Sequence, residues 1–331
     1  MALGSSINSK WIQSEVSDTF LPFDLANLST VVAQPWVQFA EGSSRPSVEG
    51  AIFDKQGNLY ICHRTHPKPD TTDTVIVKIG QDGKPNVFHE APRASLIGLA
   101  FHANGDLYAA DIDGNRCFVI DKEGNPTREL LGQFPNKTIK PNDLAFDLSG
   151  NLYFNDFRGS WFSPNGAIFR LDAEEDYCRL HLVVDRLCSP NGIAFSPEWD
   201  TLWISETTIN NVTLLRLDDI DSKKDFLGVQ RIYRCVGSPV VDSLRVDSAG
   251  FAYVTMMYGG RAIVFNKRGI PVGNVIIPDE MREQNLFSPT LAIKPNSSEG
   301  YLVSSGPAGA WVYRFPTIAS AMPLFSDIAA H

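Results

Sequence analysis

The chain has 331 residues, 43% hydrophobic and 20% charged, a globular composition with material for one large domain or two ordinary ones. Acidic residues outnumber basic ones by 38 to 29, giving a formal charge of −9 without any basic cluster, so nucleic acid and anionic membranes are poor partners. No apolar run approaches the roughly 20 residues of a membrane-spanning helix, the start MALGSSINSKW lacks the apolar stretch of a signal peptide, and five scattered cysteines (Cys62, Cys117, Cys178, Cys188 and Cys235) form no metal-binding pair; reduced thiols in the cytoplasm are expected.

Residues 1 to 32 carry no repeat and are expected to pack on the outside of a domain spanning 33 to 331. PWVQFAEG follows as an isolated strand near residues 35 to 41. Six copies of one unit then run to the end. They read VEGAIFDKQGNLYI from Val48, LIGLAFHANGDLYA from Leu96, PNDLAFDLSGNLYF from Pro141, PNGIAFSPEWDTLWI from Pro190 and VDSLRVDSAGFAYV from Val241, with a degenerate SPTLAIKPNSSEGYLV from Ser288. Aligned on Ala51, Leu99, Leu144, Ile193, Leu244 and Leu291, the copies are 45 to 51 residues apart. Each is an apolar strand, a D-x-x-G type turn and a second strand; the turn residues supply positive φ and side-chain caps. Two further strands follow in most copies, for example AIFRLD and LHLVVD between 167 and 185, or AIVFN and NVIIP between 262 and 278. Four short strands in about 45 residues is the period of a propeller blade. No long segment holds a 3.6-residue apolar period, so helices should be few. The last copy has YLVSS and WVYRF but no fourth strand. A propeller left open exposes two sheet edges, so residues 35 to 41 are predicted to complete the last blade. The expected fold is all-β: a six-bladed propeller of four-stranded antiparallel blades.

In such a ring the first strand of every blade lines the central channel. Two positions before the aligned triplet stand Glu49, Ile97, Asn142, Asn191, Asp242 and Pro289. Four of the six present oxygen toward one axis. Two carboxylates and two amide oxygens form a donor set for a hard cation, calcium first of all, with magnesium and manganese also open. The lack of His or Cys in the ring argues against a zinc-selective site, although zinc is not removed from the set. Each residue singly is an ordinary strand-start polar group; the shared register gives the set its meaning.

EGAIFDKQGNLYI, KPNDLAFDLSGNLYFND and SPNGIAFSPEWDTLWISET resemble the senescence-marker-protein/gluconolactonase family, which includes regucalcin, over roughly Pro35 to Phe315. The resemblance implies a six-bladed propeller with one catalytic divalent metal in the channel and, in most members, lactonase activity. It also implies metal ligation by Glu49, Asn142, Asn191 and Asp242. Two departures stand out. The fifth motif, P-D-G in the family, is here Val241-Asp242-Ser243, and the arginine preceding P-N-D is Lys140. Lysine keeps the charge but loses the bidentate fork, which points to a different substrate.

Opening a lactone requires a polarised carbonyl, an activated water and a group that takes its proton. Asp242 is the first choice for that base and Glu49 the second. Serine-hydrolase chemistry is not indicated, because no G-x-S-x-G motif occurs. The loops following the second strands should rim the pocket. HRTHPKPDTTD, from 63 to 73, reads as a lid carrying His63, Arg64 and His66. FRGSWF offers Phe157, Arg158, Trp161 and Phe162, and MMYGG offers Met256, Met257 and Tyr258. Lys140, His63, Arg64, Phe157, Trp161, Met256 and Tyr258 are the candidate substrate contacts. Their aromatic and thioether character suggests a lactone or ester bulkier or more apolar than gluconolactone. The alternatives are a phosphotriester hydrolase of the diisopropyl-fluorophosphatase type and a non-catalytic metal-binding propeller.

Overall fold

Six small sheets stand in a ring in the computed structural model, which describes residues 28–42, 47–68, 71–131, 138–174, 176–217, 229–237 and 239–323. Blade 1 contains β3 (Val48–Phe53), β4 (Leu59–Lys68), β5 (Thr71–Ile79) and β6 (Pro85–Ala91). Blade 2 contains β7 (Leu96–Phe101), β8 (Leu107–Asp111), β9 (Arg116–Ile120) and β10 (Pro126–Leu130). Blade 3 is β11 (Pro141–Phe146), β12 (Leu152–Asp156), β13 (Gly166–Leu171) and β14 (Leu180–Leu187). Blade 4 is β15 (Pro190–Phe195), β16 (Thr201–Glu206), β17 (Asn211–Arg216) and β18 (Val229–Arg234). Blade 5 is built on β19 (Val240–Val246), β20 (Ala252–Met257), β21 (Arg261–Phe265) and β22 (Pro271–Ile276). Blade 6 has only β23 (Phe287–Ile293), β24 (Glu299–Gly306) and β25 (Gly309–Pro316) from its own stretch of chain.

The missing strand of blade 6 comes from the other end of the sequence, as its strand count requires. β2 (Gln34–Ala40) lies antiparallel to β25, with Gln34 opposite Arg314 and Ala40 opposite Ala310. Just before it, β1 (Ser29–Val32) pairs in parallel with β22 and adds a fifth strand to blade 5. The Ala33 N–H donates to Ile276 O at 2.8 Å as the chain crosses from one blade to the next. Residues 29–40 therefore tie the outer edges of both blades together. Residues 1–27, also expected outside the repeat, lie outside the described residues.

Alternation along each strand puts apolar side chains on both faces of every blade, and the core divides accordingly. Six buried clusters occupy the six interfaces between neighbours. Tyr108 and Phe169 join blades 2 and 3, for instance, and Val48 and Val312 join blades 1 and 6. The last interface matters most for closure, because its two sides are farthest apart in sequence. The turns between first and second strands follow the predicted pattern. In blade 3, Asp147 Oδ1 accepts the N–H groups of Ser149 (2.9 Å) and Asn151 (2.9 Å), and Gly150 takes φ of 80°. Among the described residues helix is limited to one α-helical turn, Asp279–Arg282, and one 3₁₀ turn, Thr207–Ile209, and no helix is long and apolar enough to cross a membrane.

Candidate active site

Every inner strand breaks register where it carries its axial residue. The shifts fall at Glu49/Ala51, Leu96/Gly98, Pro141/Leu144, Pro190/Ile193, Val241/Leu244 and Phe287/Thr290. A bulge adds a residue, bends the strand and re-aims its side chain. Here it turns the side chains at the start of each strand toward the axis. The extra residue frees backbone groups, and polar side chains of the second strands satisfy them. Asn155 Oδ1 accepts from the N–H groups of Asn142 (3.0 Å) and Asp143 (2.9 Å), while its amide donates to the Asn191 carbonyl. Ser205 Oγ accepts from Gly192 N–H at 2.8 Å and donates to the Asp242 carbonyl. The Thr255 hydroxyl donates to the carbonyl oxygens of Ser243 (2.9 Å) and Pro289 (2.6 Å). The bulges of blades 3, 4 and 5 are thus fastened to the blade that follows. The approach is close: a Cβ on Gly98 would lie 2.0 Å from Asn142 O, and one on Gly192 would lie 2.4 Å from Leu244 N.

Asp242, Asn191 and Asn142 are all buried, at 4%, 5% and 9% exposure. The amide of Asn191 donates to the Thr207 hydroxyl at 3.2 Å and hydrogen-bonds the Asp242 carboxyl. Its Oδ1 is buried and has no hydrogen-bond partner among the described residues. Glu49 Oε1 accepts from Arg64 Nη2 at 3.0 Å, whereas Arg64 Nε is buried without a partner. Burial pushes Glu49 up to about 7 against the pull of Arg64, and the Asp143 charge adds to the rise. Burial, and then the charge on Glu49, hold Asp242 well above the usual carboxylate range, with the Asn191 amide and Arg64 pulling the other way. Two desolvated carboxylates that repel one another make a site with a charge deficit. A divalent cation fits that deficit: it would match both charges and give the unpartnered Asn191 oxygen a cation to which it can donate a lone pair. Among the described residues no three His, Cys, Asp or Glu side chains cluster as a metal site. A cation held here would need amide oxygens beside the two carboxylates, a donor chemistry that suits a hard cation better than zinc.

The predicted wall residues are less uniform. Lys140 is exposed at the entrance; its N–H is held by Asp156 Oδ1 at 2.9 Å and its carbonyl by Phe157 N–H at 2.8 Å. Phe157 is half-buried. Trp161 is 63% exposed under the Arg234 guanidinium, 5.6 Å from the ring centre, and its neighbour Phe162 is 94% exposed. Tyr258 is exposed and tilts against Phe287. Met256 is 1% exposed and packs among Trp203, Val241 and Val254 between blades 4 and 5.

The lid expected over 63 to 73 is corrected. β4 runs on to Lys68 and pairs with β5 through His63↔Val75, Arg64↔Thr74 and Thr65↔Asp73. The segment is a hairpin that continues the blade. His63 stands edge-on to Phe39, and burial lowers its pKa. Alternating Thr and charged residues allow strand pairing as readily as a loop, and the blade beneath decides in favour of the strand.

Sequence reasoning missed the residue pair below the axial ring. Arg245 Nη1 donates to Asp143 Oδ2 at 2.9 Å. Beyond it the channel widens into an apolar cavity of about 100 Å³ at the opposite mouth, lined by Phe53, Phe101, Phe146, Phe195 and Met322 among others, with Arg245 also in its wall. Asp143 stands in a column occupied by Gly50, Gly98 and Gly192, and Arg245 in one of Ile52, Ala100, Ala145, Ala194 and Ala292. Those two mismatches were the available signal.

The chain belongs to the SMP-30/Gluconolactonase/LRE-like family, whose model matches residues 48–289. Lactonase drp35 of Staphylococcus aureus (strain MW2) is 30% identical over 261 residues, covering 76% of each chain. Lactonase drp35 of Staphylococcus haemolyticus (strain JCSC1435) is 29% identical over 258 residues, again with 76% of each chain covered. Among solved structures, a gluconolactonase from Xanthomonas campestris superposes with a TM-score of 0.64 at 20% identity, over 84% of this chain and 88% of the other. A calcium-binding regucalcin from Agrobacterium tumefaciens superposes with a TM-score of 0.67 at 15% identity, over 90% and 99% of the two chains. At such identities the structural likeness establishes the fold.

Proposed function

We propose that this chain opens a lactone by hydrolysis at the axial site, with a divalent cation, calcium first, held by Glu49, Asn142, Asn191 and Asp242. The drp35 relatives, named as lactonases, support the reaction class. The observation that carries the site is the pair of buried, mutually repelling carboxylates beside the unpartnered Asn191 oxygen. When bound, the cation would supply Lewis-acid polarisation of the ester carbonyl and balance the two carboxylate charges.

The chain's own residues account for the rest. Asp242 takes the proton of the attacking water; with Glu49 tied to Arg64, Asp242 is the freer carboxylate for that task. Asn142 and Asn191 offer neutral oxygens that add no further negative charge. Arg64, with a buried Nε lacking a partner, is placed to receive the oxygen that gains charge as the ring opens, and then the carboxylate of the product. Trp161, Phe162 and Tyr258 are exposed on loops that follow second strands, and with Lys140 they would give a substrate an apolar wall. This favours a lactone carrying an apolar substituent over a small polyhydroxy one. Met256 is packed between blades and leaves that wall.

Proton release from a panel of aliphatic and sugar lactones, together with one phosphotriester, tests the reading. Turnover of the apolar lactones, abolished by chelator and restored by calcium, is expected. Preference for polyhydroxy lactones would remove the apolar-rim assignment, and turnover of the phosphotriester alone would replace the reaction class. Bound calcium without turnover across the panel would leave a binding module.

A further inference from the structure

The channel is crossed below the axial ring by Arg245, which projects from an inner-strand position where four other blades carry alanine. Its contacts do not spread evenly around the ring. Nη1 donates to Asp143 Oδ2 (2.9 Å) in blade 3 and to Leu244 O (2.7 Å) in its own blade 5, and Nη2 reaches Ala51 O (3.4 Å) in blade 1. Asp143 extends the bridge. Its Oδ2 also accepts from Ile193 N–H at 3.1 Å in blade 4, and its Oδ1 accepts from Leu144 N–H at 3.0 Å. Ala51 lies two residues beyond Glu49, Asp143 next to Asn142, Ile193 two beyond Asn191, and Leu244 two beyond Asp242. The four strands engaged are the four that bear oxygen donors. The strands carrying Ile97 and Pro289 receive none of these bonds.

From this coincidence we infer that the Arg245–Asp143 pair is a positioning crossbar: it sets the spacing of the four donor strands, and it separates the site from the apolar cavity at the far mouth. The inference rests on the metal reading given above. Asp143 is 3% exposed at its side chain and Arg245 17%, so the bond is shielded from water and its geometry is held. Residues behind a metal's ligands commonly fix ligand orientation, and their loss typically weakens metal binding by about 10- to 100-fold. The bulges make such a brace necessary. A bulged strand end has fewer ladder bonds to hold its side chain on target, and here four of them must converge. The alanine column leaves the space through which the arginine reaches across.

The test uses the full-length protein. Hydrogen exchange of the metal-free protein, read by mass spectrometry on peptides covering the six inner strands, is compared between wild type and Arg245→Met. Faster exchange is expected in β3, β11, β15 and β19, with β7 and β23 unchanged. Calcium titration calorimetry should show affinity weakened about 10- to 100-fold, partly rescued in Arg245→Lys, which keeps the charge and also guards against misfolding of the methionine variant. Arg128→Met, which breaks an exposed pair with Asp176 on an outer strand, is the control and should change neither reading. Exchange altered equally in all six strands, or calcium affinity unchanged in Arg245→Met, would overturn the crossbar. A wild type that binds no calcium would instead remove the metal reading, and the exchange pattern would still decide whether the crossbar exists.

Discussion

The two mouths of the axial channel are made by opposite ends of the same six strands, and they differ in almost every physical respect. At the mouth where the inner strands begin, bulges turn Glu49, Asn142, Asn191 and Asp242 toward the axis, and burial leaves the two carboxylates electrostatically unsatisfied. At the other mouth the strands end in Phe53, Phe101, Phe146 and Phe195, and the cavity is apolar apart from Arg245. A regular strand offers the axis the same kind of position at either end; bulges and the Arg245–Asp143 bridge separate the two. One mouth can hold a charged, reactive group. The other is packed for stability.

The largest effect expected from breaking this contrast is at Asp242. Replacing it with asparagine keeps an oxygen at the axis but removes both the proton acceptor and one charge. Loss of general-base catalysis alone should lower kcat by about 10²- to 10⁴-fold. The check is proton release with the preferred lactone at saturating calcium. Retention of activity within tenfold of wild type would assign the base elsewhere, Glu49 being next.

Chelation and pH give the second effect. The folded protein holds a proton on Glu49 up to about pH 7, whereas the unfolded chain releases it near the ordinary value of 4.5. Between those values the folded state binds more protons, so stability of the metal-free protein falls as pH rises from about 4.5 through 7. Asp242 shifts in the same direction. Thermal melts in chelator should therefore show a lower Tm at pH 8 than at pH 5. Glu49→Gln should flatten the difference, and calcium should diminish it by occupying the charged form. A metal-free Tm that rises over this interval, with Glu49→Gln showing the same slope, would mean that the carboxylate is solvated after all.

Much of this could be seen in the residues. The ring follows from the 45- to 51-residue spacing, and the closing strand from a strand count that left the last blade one short. The shared register of Glu49, Asn142, Asn191 and Asp242 follows from aligning the copies, and the proposal that they hold a cation rests on it. What escaped has physical reasons. β1 pairs in parallel at an outer edge and has no counterpart in the other copies to announce it. The 63 to 73 segment has loop-like composition, but pairing along β5 overrides it. Met256 points inward because strand β20 continues to Met257, two residues past Thr255, which turns a presumed rim residue into core. Arg245 and Asp143 each look like one charged residue in a tolerant column. Only their meeting across the axis, 102 residues apart, gives either a role.

A smaller effect is expected on the rim of the reactive mouth. Trp161→Ala removes apolar surface that is 63% exposed in the free protein and available to a substrate. KM for an apolar lactone should rise up to about tenfold while kcat changes little, the signature of binding shared by ground and transition states. KM for a small polyhydroxy lactone should be unmoved. Steady-state kinetics on both substrates separates the outcomes, and an equal rise for the two would place Trp161 in loop architecture, through its partner Arg234, and not in substrate selection.

The least effect on catalysis belongs to the far mouth. Trp199 is half-buried in the turn between β15 and β16, tilted against Phe195 with ring centres 5.1 Å apart, and lines the apolar cavity. Trp199→Ala removes that contact without touching Arg245's bonds to the donor strands. Stability should drop by about 1–3 kcal/mol, less than for a fully buried tryptophan, while kcat and calcium affinity stay at wild-type values below the melting range. Denaturant unfolding and steady-state kinetics on the same preparation provide the check. A fall in kcat at preserved folding would mean that strain at the apolar end reaches the axial donors past the crossbar, and the two mouths would have to be treated as one continuous site.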